Sequence, residues 1–311
     1  MKILISDKSS SVCEQILRDA GHDVDVNTGL SPDELAKIIP AYHGLIVRSA
    51  TKVTREIIDA AKSLKLIGRA GTGVDNIDVA YARERDIVVM NTPGGNSNAV
   101  AELTLAQMLN LARDVFNATT SIKAHRWEKK NFKGYEISGK TLGLLGYGRV
   151  SRLLGQKALA LGMTVLCFDP KIAKNIEDCD GIQLVANVDD VLQKADYLSM
   201  NLTRRDDTRN FLGKAEFAKM KRGSYFLNGA RGGLVDEKAL LSALDDGTLA
   251  GAALDVFEAE PPVDFTLIDH PKVICTPHIG AASFEAQENV AAAVARQFAD
   301  FFAGKGATNA V

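Results

Sequence analysis

The chain has 311 residues, 46% of them hydrophobic, which is enough to bury a sizeable core and to form two domains at roughly 100 to 200 residues each. Lys and Arg number 37 against 39 Asp and Glu, a net charge of -2 with no basic block, which argues against nucleic acid as the main partner. There is no signal-peptide pattern and no apolar run of about 18 residues, so the chain reads as cytoplasmic, neither exported nor membrane-spanning.

Cys13, Cys167, Cys179 and Cys275 are scattered without C-x-x-C spacing or paired histidines, so they read as reduced structural thiols and no metal site is expected. In chain order, short apolar runs at Lys2 to Ser6, Val24 to Val26, Gly44 to Arg48, Leu64 to Gly68 and Ile87 to Met90 alternate with helical stretches such as Ser31 to Ile39. This alternation predicts a small parallel-sheet unit. Within it, Gly71-Thr72-Gly73-Val74-Asp75-Asn76 follows a strand as a nucleotide loop would. It fails that reading twice, because its third position is Asn76 and the next strand closes on neutral Asn91 instead of an acid. Its backbone N–H groups suit a small anion, so Gly71, Thr72, Gly73 and Val74 are read as a substrate loop. The breaker cluster Asn91-Thr92-Pro93-Gly94-Gly95-Asn96 marks a hinge, and one long helix is predicted from about Ala99 to Ala124.

The sharpest signal is Thr141-Leu142-Gly143-Leu144-Leu145-Gly146-Tyr147-Gly148, an apolar strand that breaks into glycines. Val150, Leu153, Leu154, Ala158 and Leu161 then recur at helical spacing, and a second strand, Thr164 to Phe168, ends at Asp169, 21 residues after Gly148. Strand, glycines, helix, strand and acid form a dinucleotide-binding pattern. Gly146 and Gly148 permit a tight turn and close approach to a pyrophosphate, and the helix opening at Arg149 and Val150 presents its N–H groups. Asp169 accepts hydrogen bonds from ribose hydroxyls and repels a 2'-phosphate, so the expected cofactor is NAD rather than NADP. The third glycine position holds Ser151, small enough to be tolerated.

Further strands are predicted at Tyr197 to Asn201, Ser224 to Asn228, Gly251 to Leu254 and Val273 to Cys275. A second crossing near Gly280 precedes a final helix, Phe284 to Phe302, that could return to the first unit. Three residues follow these strand ends, where ligands of doubly wound sheets gather: Arg231, Glu260 and His278. A guanidinium suits a carboxylate, a histidine can shuttle the proton that accompanies hydride transfer, and a neighbouring carboxylate favours the imidazolium. Read alone, Arg231 could be a solvated loop residue, Glu260 a rim charge and His278 a loop histidine bonded to backbone. His22, His43, His125 and His270 lack comparable strand-end context.

Together with the fingerprint, the segments Val47-Arg48-Ser49-Ala50-Thr51-Lys52-Val53-Thr54, Gly68-Arg69-Ala70-Gly71-Thr72-Gly73-Val74-Asp75-Asn76, Asn91-Thr92-Pro93-Gly94-Gly95-Asn96-Ser97, Ala230-Arg231-Gly232-Gly233, Ala253-Leu254-Asp255-Val256-Phe257 and Pro277-His278-Ile279-Gly280 resemble the D-isomer-specific 2-hydroxyacid dehydrogenases over essentially the whole chain. The resemblance implies two doubly wound parallel-sheet α/β domains: a Rossmann NAD-binding domain at 97–281 inserted into a smaller, flavodoxin-like substrate-binding domain at 1–96 and 282–311. It implies catalytic Arg231, Glu260 and His278, with Ala230 and Asp255 among the cofactor contacts and Asp255 near the nicotinamide carboxamide. The branch it most resembles oxidises 3-phospho-D-glycerate to 3-phosphohydroxypyruvate, the first step of serine biosynthesis. In that reading Arg48 and Arg69 offer cations to the phosphate, and Trp127-Glu128-Lys129-Lys130 is similar to a segment that supplies a basic group to a neighbouring subunit of a homodimer or homotetramer. The alternatives are a hydroxypyruvate, glyoxylate or D-lactate reductase, or an NAD-sensing, corepressor-like binding protein. Two departures stand out: Asn201-Leu202-Thr203 replaces a usual His-x-Pro, which bears on adenosine contacts, and the chain ends at Val311 with no room for a serine-sensing domain, so feedback through one is expected to be absent.

Overall fold

The computed structural model describes residues 1–172 and 180–311. Met1–Ser97 with Ala281–Val311 makes one compact unit, and Asn98–Gly280 makes another. The first runs β1 (Lys2–Ile5), α1 (Ser11–Asp19), β2 (Asp23–Val26), α2 (Pro32–Ile38), β3 (Gly44–Val47), α3 (Arg55–Ala60), β4 (Leu66–Arg69), α4 (Val79–Glu84) and β5 (Val88–Asn91). The second runs α5 (Ser97–Arg113, whose first residue belongs to the first unit), α6 (Val115–Lys123), β6 (Thr141–Leu145), α7 (Arg149–Ala160), β7 (Thr164–Phe168), β8 (Gln183–Leu184), α8 (Val188–Lys194), β9 (Tyr197–Met200), α9 (Lys214–Phe217), β10 (Ser224–Asn228), α10 (Glu237–Asp245), β11 (Leu249–Leu254) and β12 (Val273–Cys275). α11 (Phe284–Phe302) is the last helix and lies in the first unit.

The first sheet is wholly parallel with order β2-β1-β3-β4-β5, the flavodoxin-like order. A parallel sheet with helices on both faces needs continuously apolar strands, and β3, Gly-Leu-Ile-Val, is buried at every position. Leu35, Ile57 and Ile58 of α2 and α3 cover one face, and Cys13 and Leu17 of α1 with Val294 and Phe298 of α11 cover the other. The final helix does return to this unit, and burying Phe298 completely contributes about 1.5–3 kcal/mol. The helix predicted from Ser31 starts one residue later. Ser31 is its N-cap, accepting the Glu34 N–H while the Glu34 carboxylate accepts the Ser31 N–H at 2.8 Å.

The second sheet has order β12-β11-β10-β9-β6-β7-β8, the Rossmann arrangement of two parallel halves diverging at β6 and β9. Helices α8, α9 and α10 pack Val191, Leu192, Phe217, Leu240 and Leu244 on one face, and α5 and α7 pack Met108, Ala112, Leu154 and Ala158 on the other. The expected pair of doubly wound α/β sheets is thus observed.

One expectation is corrected. The helix read as continuous from Ala99 to Ala124 breaks at Asp114, which sits in the left-handed region at φ 51°. In an unbroken helix the Ala112 carbonyl would accept the Phe116 N–H. Here it accepts the Tyr135 N–H at 2.8 Å, and the Phe116 N–H goes to Asn110 Oδ1 at 2.8 Å. Among the described residues no helix is long and apolar enough to cross a membrane. Cys13, Cys167 and Cys275 are free thiols, and Cys179 lies outside the described residues.

Candidate active site

The glycine fingerprint of the second unit forms the turn from β6 into α7. Gly146 takes φ 101°, and a Cβ there would lie 2.7 Å from the Asn201 carbonyl oxygen, so the end of β9 closes directly on the turn. Gly148 is the N-cap of α7 and brings no side chain to it, while a Cβ at that position would meet nothing within 4 Å. The first turn of α7, opening with exposed Arg149 and half-buried Val150, therefore faces open space at its positive end, the arrangement a pyrophosphate requires. Ser151 is fully buried and its hydroxyl donates to the Gly146 carbonyl at 2.5 Å, so the extra oxygen is absorbed inside the turn. Asp169 follows β7, and its two carboxylate oxygens accept the Tyr147 and Lys171 N–H groups, each at 2.8 Å. The residues present therefore fit a dinucleotide.

At the carboxyl ends of β10, β11 and β12, the same unit gathers the proton-handling residues. His278, in left-handed backbone at φ 52°, places Nδ1 2.6 Å from Glu260 Oε2, and Glu260 Oε1 accepts the Phe257 N–H at 3.1 Å. Burial pushes the Glu260 carboxyl up. The hydrogen bonds from His278 and the Phe257 N–H, with the charges of His278 and Arg231, outweigh that effect and hold it below the ordinary glutamate range. Arg231 donates to the Ala230 carbonyl at 2.7 Å. Its turn is clamped by Asn228, which is buried, donates to the Arg231 carbonyl at 3.1 Å and accepts the Ala230 N–H at 3.1 Å. A Cβ on Gly232 would fall 1.7 Å from the Phe257 carbonyl oxygen; only glycine lets the Arg231 turn lie against the segment that carries Glu260.

The structure gives Asp255 a part that the sequence did not suggest. It is 1% exposed, Oδ1 accepts the Thr276 hydroxyl at 2.6 Å and the Ile279 N–H at 2.8 Å, and Oδ2 accepts the Gly280 N–H at 2.8 Å. Gln107 in turn donates to the Thr276 hydroxyl at 3.0 Å. The loop bearing His278 is therefore pinned on both sides of the histidine by one buried carboxylate. Sequence reasoning missed Asn228, Thr276 and Gln107 as supports; the only local sign for the first two was a polar residue at or just after a strand end, and Gln107, inside α5, had none. Asn201 turns its amide back to Ser199, donating to its hydroxyl at 3.0 Å.

The remaining candidates lie in the first unit. Arg48 and Arg69 stand at the carboxyl ends of β3 and β4, neighbours in the sheet with Val47 paired to Arg69. Both are half-buried. Arg48 Nη1 donates to the Lys8 carbonyl at 3.0 Å. The Arg69 guanidinium lies across the glycine loop, since a Cβ on Gly71 would fall 1.3 Å from Nη1. The carbonyls of Gly71 and Thr72 accept from the Thr92 N–H at 2.9 Å and the Asn91 amide at 2.6 Å, and Thr72 Oγ1 donates to Asn96 at 3.0 Å, which fixes the Gly71-Thr72-Gly73-Val74 segment.

The chain is similar to known proteins over its whole length. The profile of the D-isomer specific 2-hydroxyacid dehydrogenase NAD binding domain matches residues 105–280. The D-3-phosphoglycerate dehydrogenase of Methanocaldococcus jannaschii is 44% identical over 311 residues, covering 100% of this chain and 59% of that protein. That of Homo sapiens is 44% identical over 310 residues, covering 100% and 58%. The chain thus spans less than two thirds of the length of these relatives. Among solved structures, the NAD+-bound 3-phosphoglycerate dehydrogenase of Entamoeba histolytica superposes with a TM-score of 0.86 at 30% identity, covering 100% of this chain and 98% of that one. A glyoxylate reductase from Paecilomyes thermophila gives 0.88 at 30% identity, covering 100% and 97%. The chain belongs to the D-isomer specific 2-hydroxyacid dehydrogenases and carries their NAD-binding domain.

Proposed function

We propose that the chain oxidises 3-phospho-D-glycerate to 3-phosphohydroxypyruvate with NAD, using Arg231, Glu260 and His278 as its catalytic residues. NAD, when bound, supplies the acceptor for the hydride leaving C2. The protein's part is the proton and the charge. Because Glu260 holds His278 at Nδ1, the Nε2 lone pair of the neutral ring is the one offered to the substrate hydroxyl, and in reduction the Nε2 proton returns to the C2 oxygen. The ionised Glu260 supports the imidazolium so formed. Arg231 holds the carboxylate and stabilises the charge developing on the C2 oxygen. Thr72, Gly73 and Val74 offer backbone N–H groups to a substrate carboxylate, the Gly71 N–H being taken by the Arg69 carbonyl at 2.9 Å, and the first unit serves as the substrate-binding domain.

The observation that carries the choice of substrate is the placement of Arg48 and Arg69 on adjacent strand ends, two cations beside an anion-suited loop. The 44% identity to D-3-phosphoglycerate dehydrogenases supports it. If both arginines hold the phosphate, Arg48→Ala and Arg69→Ala each remove a charge-assisted contact of roughly 1.5–3 kcal/mol. Turnover of 3-phosphoglycerate then falls far more than that of D-glycerate. Equal losses on both substrates reject phosphate recognition by these residues.

The proposal includes self-association. Val115, Phe116 and Ile122 on α6 are 53%, 60% and 49% exposed and Trp127 is 82% exposed, an apolar surface that a second copy of the chain would cover in a homodimer or a homotetramer. Light scattering that finds a monomer at micromolar concentration contradicts this. We place the activity in the cytoplasm, which the free thiols support; recovery of the activity in a membrane or exported fraction contradicts it.

A further inference from the structure

We infer that Asp7 and Asn76, neither of which touches the reacting atoms, are positioning residues that together set the preference for a phosphorylated substrate by fixing the loop that carries Arg48. The inference rests on the reading of Arg48 as a phosphate ligand.

The loop is Arg48-Ser49-Ala50-Thr51, with Ser49 and Ala50 exposed. Its first and last residues are held from two directions. Asp7, 5% exposed at the end of β1, accepts the Arg48 N–H on Oδ2 at 2.6 Å. It also accepts the Thr51 N–H at 3.1 Å and the Thr51 hydroxyl at 2.6 Å on Oδ1. From the other side, the single amide nitrogen of Asn76 donates one proton to the Arg48 carbonyl at 2.8 Å and the other to the Thr51 carbonyl at 2.7 Å. The donors of residues 48 and 51 are thus taken by one carboxylate and their acceptors by one amide. The carbonyl next to Asp7, that of Lys8, receives the Arg48 guanidinium. With its backbone hydrogen bonds fixed at both ends, the loop cannot shift Arg48 along or away from the sheet without breaking several bonds at once.

Asn76 adds a second constraint. It lies two residues after Val74, and its own carbonyl accepts the Val53 N–H at 2.8 Å. A residue just beyond the carboxylate-binding loop therefore also sets the height of the arginine loop. A substrate with an anion at C1 and another at C3 needs its two anion-binding elements at a fixed separation, and Asn76 joins them. Asp7 and Arg48 follow the adjacent strands β1 and β3, the switch point of a sheet with this order, where a ligand crevice is expected. Asn76, which stands at the third glycine position of the failed second fingerprint, is thus the link between two substrate contacts.

A double-mutant cycle on the full chain tests this. Asn76→Ala is expected to lower kcat/KM for 3-phosphoglycerate about tenfold more than for D-glycerate, mainly through KM, because a misplaced anchor loses binding geometry. In an Arg48→Ala background the same substitution should change the 3-phosphoglycerate to D-glycerate ratio less than about twofold, since its effect runs through the arginine already removed. A brace of the fold alone would lower both substrates equally, and that result, or additive effects in the cycle, overturns the inference while leaving phosphate binding by Arg48 standing. An Arg48→Ala variant with an unchanged ratio overturns the phosphate reading and this inference with it. Asp7→Asn, which sets an amide N–H against a loop N–H from the opposite side, repeats the measurement should Asn76→Ala not fold, with the same ratio expected and an equal loss on both substrates again decisive against it.

Discussion

Replacing Asp255 by Asn changes one atom and little volume, yet the structure gives it a large effect. An amide can keep one acceptor for the Thr276 hydroxyl and the Ile279 N–H, but its other arm becomes an NH2 group facing the Gly280 N–H, which now sits at 2.8 Å from an oxygen. A charge-assisted bond of roughly 1.5–3 kcal/mol is lost and a buried N–H is left unpaired at about 1–3 kcal/mol, overlapping contributions that together come to about 3 kcal/mol. For a unit the size of Asn98–Gly280, each kcal/mol shifts Tm by about 2–4 °C, so Tm should fall by about 6–12 °C in a thermal denaturation scan. His278 sits between the released anchors, and a displacement of about 1 Å would cost kcat on the order of 10²-fold. Two results refute the reasoning. A Tm within 2 °C of wild type with kcat unchanged shows that the carboxylate does not hold the loop; an unchanged Tm with a raised KM for NAD assigns Asp255 to the nicotinamide instead.

Gly148→Ala should leave Tm within about 1 °C, because a Cβ there meets no protein atom at an ordinary φ of -82°, while the Kd for NADH rises at least about tenfold, roughly 1.4 kcal/mol. An unchanged Kd in a fluorescence titration shows that no pyrophosphate approaches that turn. Glu260→Gln addresses pH. The Glu260 pKa is depressed on folding, so its ionised form adds stability that is fully present above the ordinary value of 4.5 and is lost as pH falls through the lowered one. The Tm advantage of wild type over Glu260→Gln should therefore persist down to pH 4.5 and close only below it; a gap that has vanished by pH 6 contradicts the pairing. With Asp169 held by two backbone N–H groups, kcat/KM for NAD should exceed that for NADP by about 10²-fold. Equal values with the two cofactors reject that role.

Much of this architecture was legible in the sequence because the central strands are largely apolar runs bounded by polar breakers, as parallel strands covered on both faces must be. The edge strand Gln183–Leu184 was not, since two residues carry no periodicity. The break at Asp114 was invisible for a different reason: apolar spacing continues across it, and the Ala112 carbonyl it frees is taken by Tyr135, a residue 21 positions beyond the break. The site divides in the same way. Arg231, Glu260 and His278 were singled out as candidates from residue type after strand ends, and the structure brings Glu260 and His278 into hydrogen bond, with the Arg231 charge acting on the carboxylate. Asn228, Asp7 and Asn76 act on backbone groups and Thr276 on the Asp255 carboxylate, and nothing in a local motif says which of these groups a polar side chain will meet.

The central claim is that this chain handles a phosphorylated D-2-hydroxy acid with NAD and uses His278 to move the proton. It is tested most directly by measuring kcat/KM of the purified chain and of His278→Ala with NAD and 3-phosphoglycerate, D-glycerate and D-lactate, and with NADH and glyoxylate. The account predicts the highest value for 3-phosphoglycerate, and a loss of about 10²- to 10⁴-fold in His278→Ala with NADH binding retained. A higher value for glyoxylate or D-lactate, or near-normal turnover without the histidine, contradicts it.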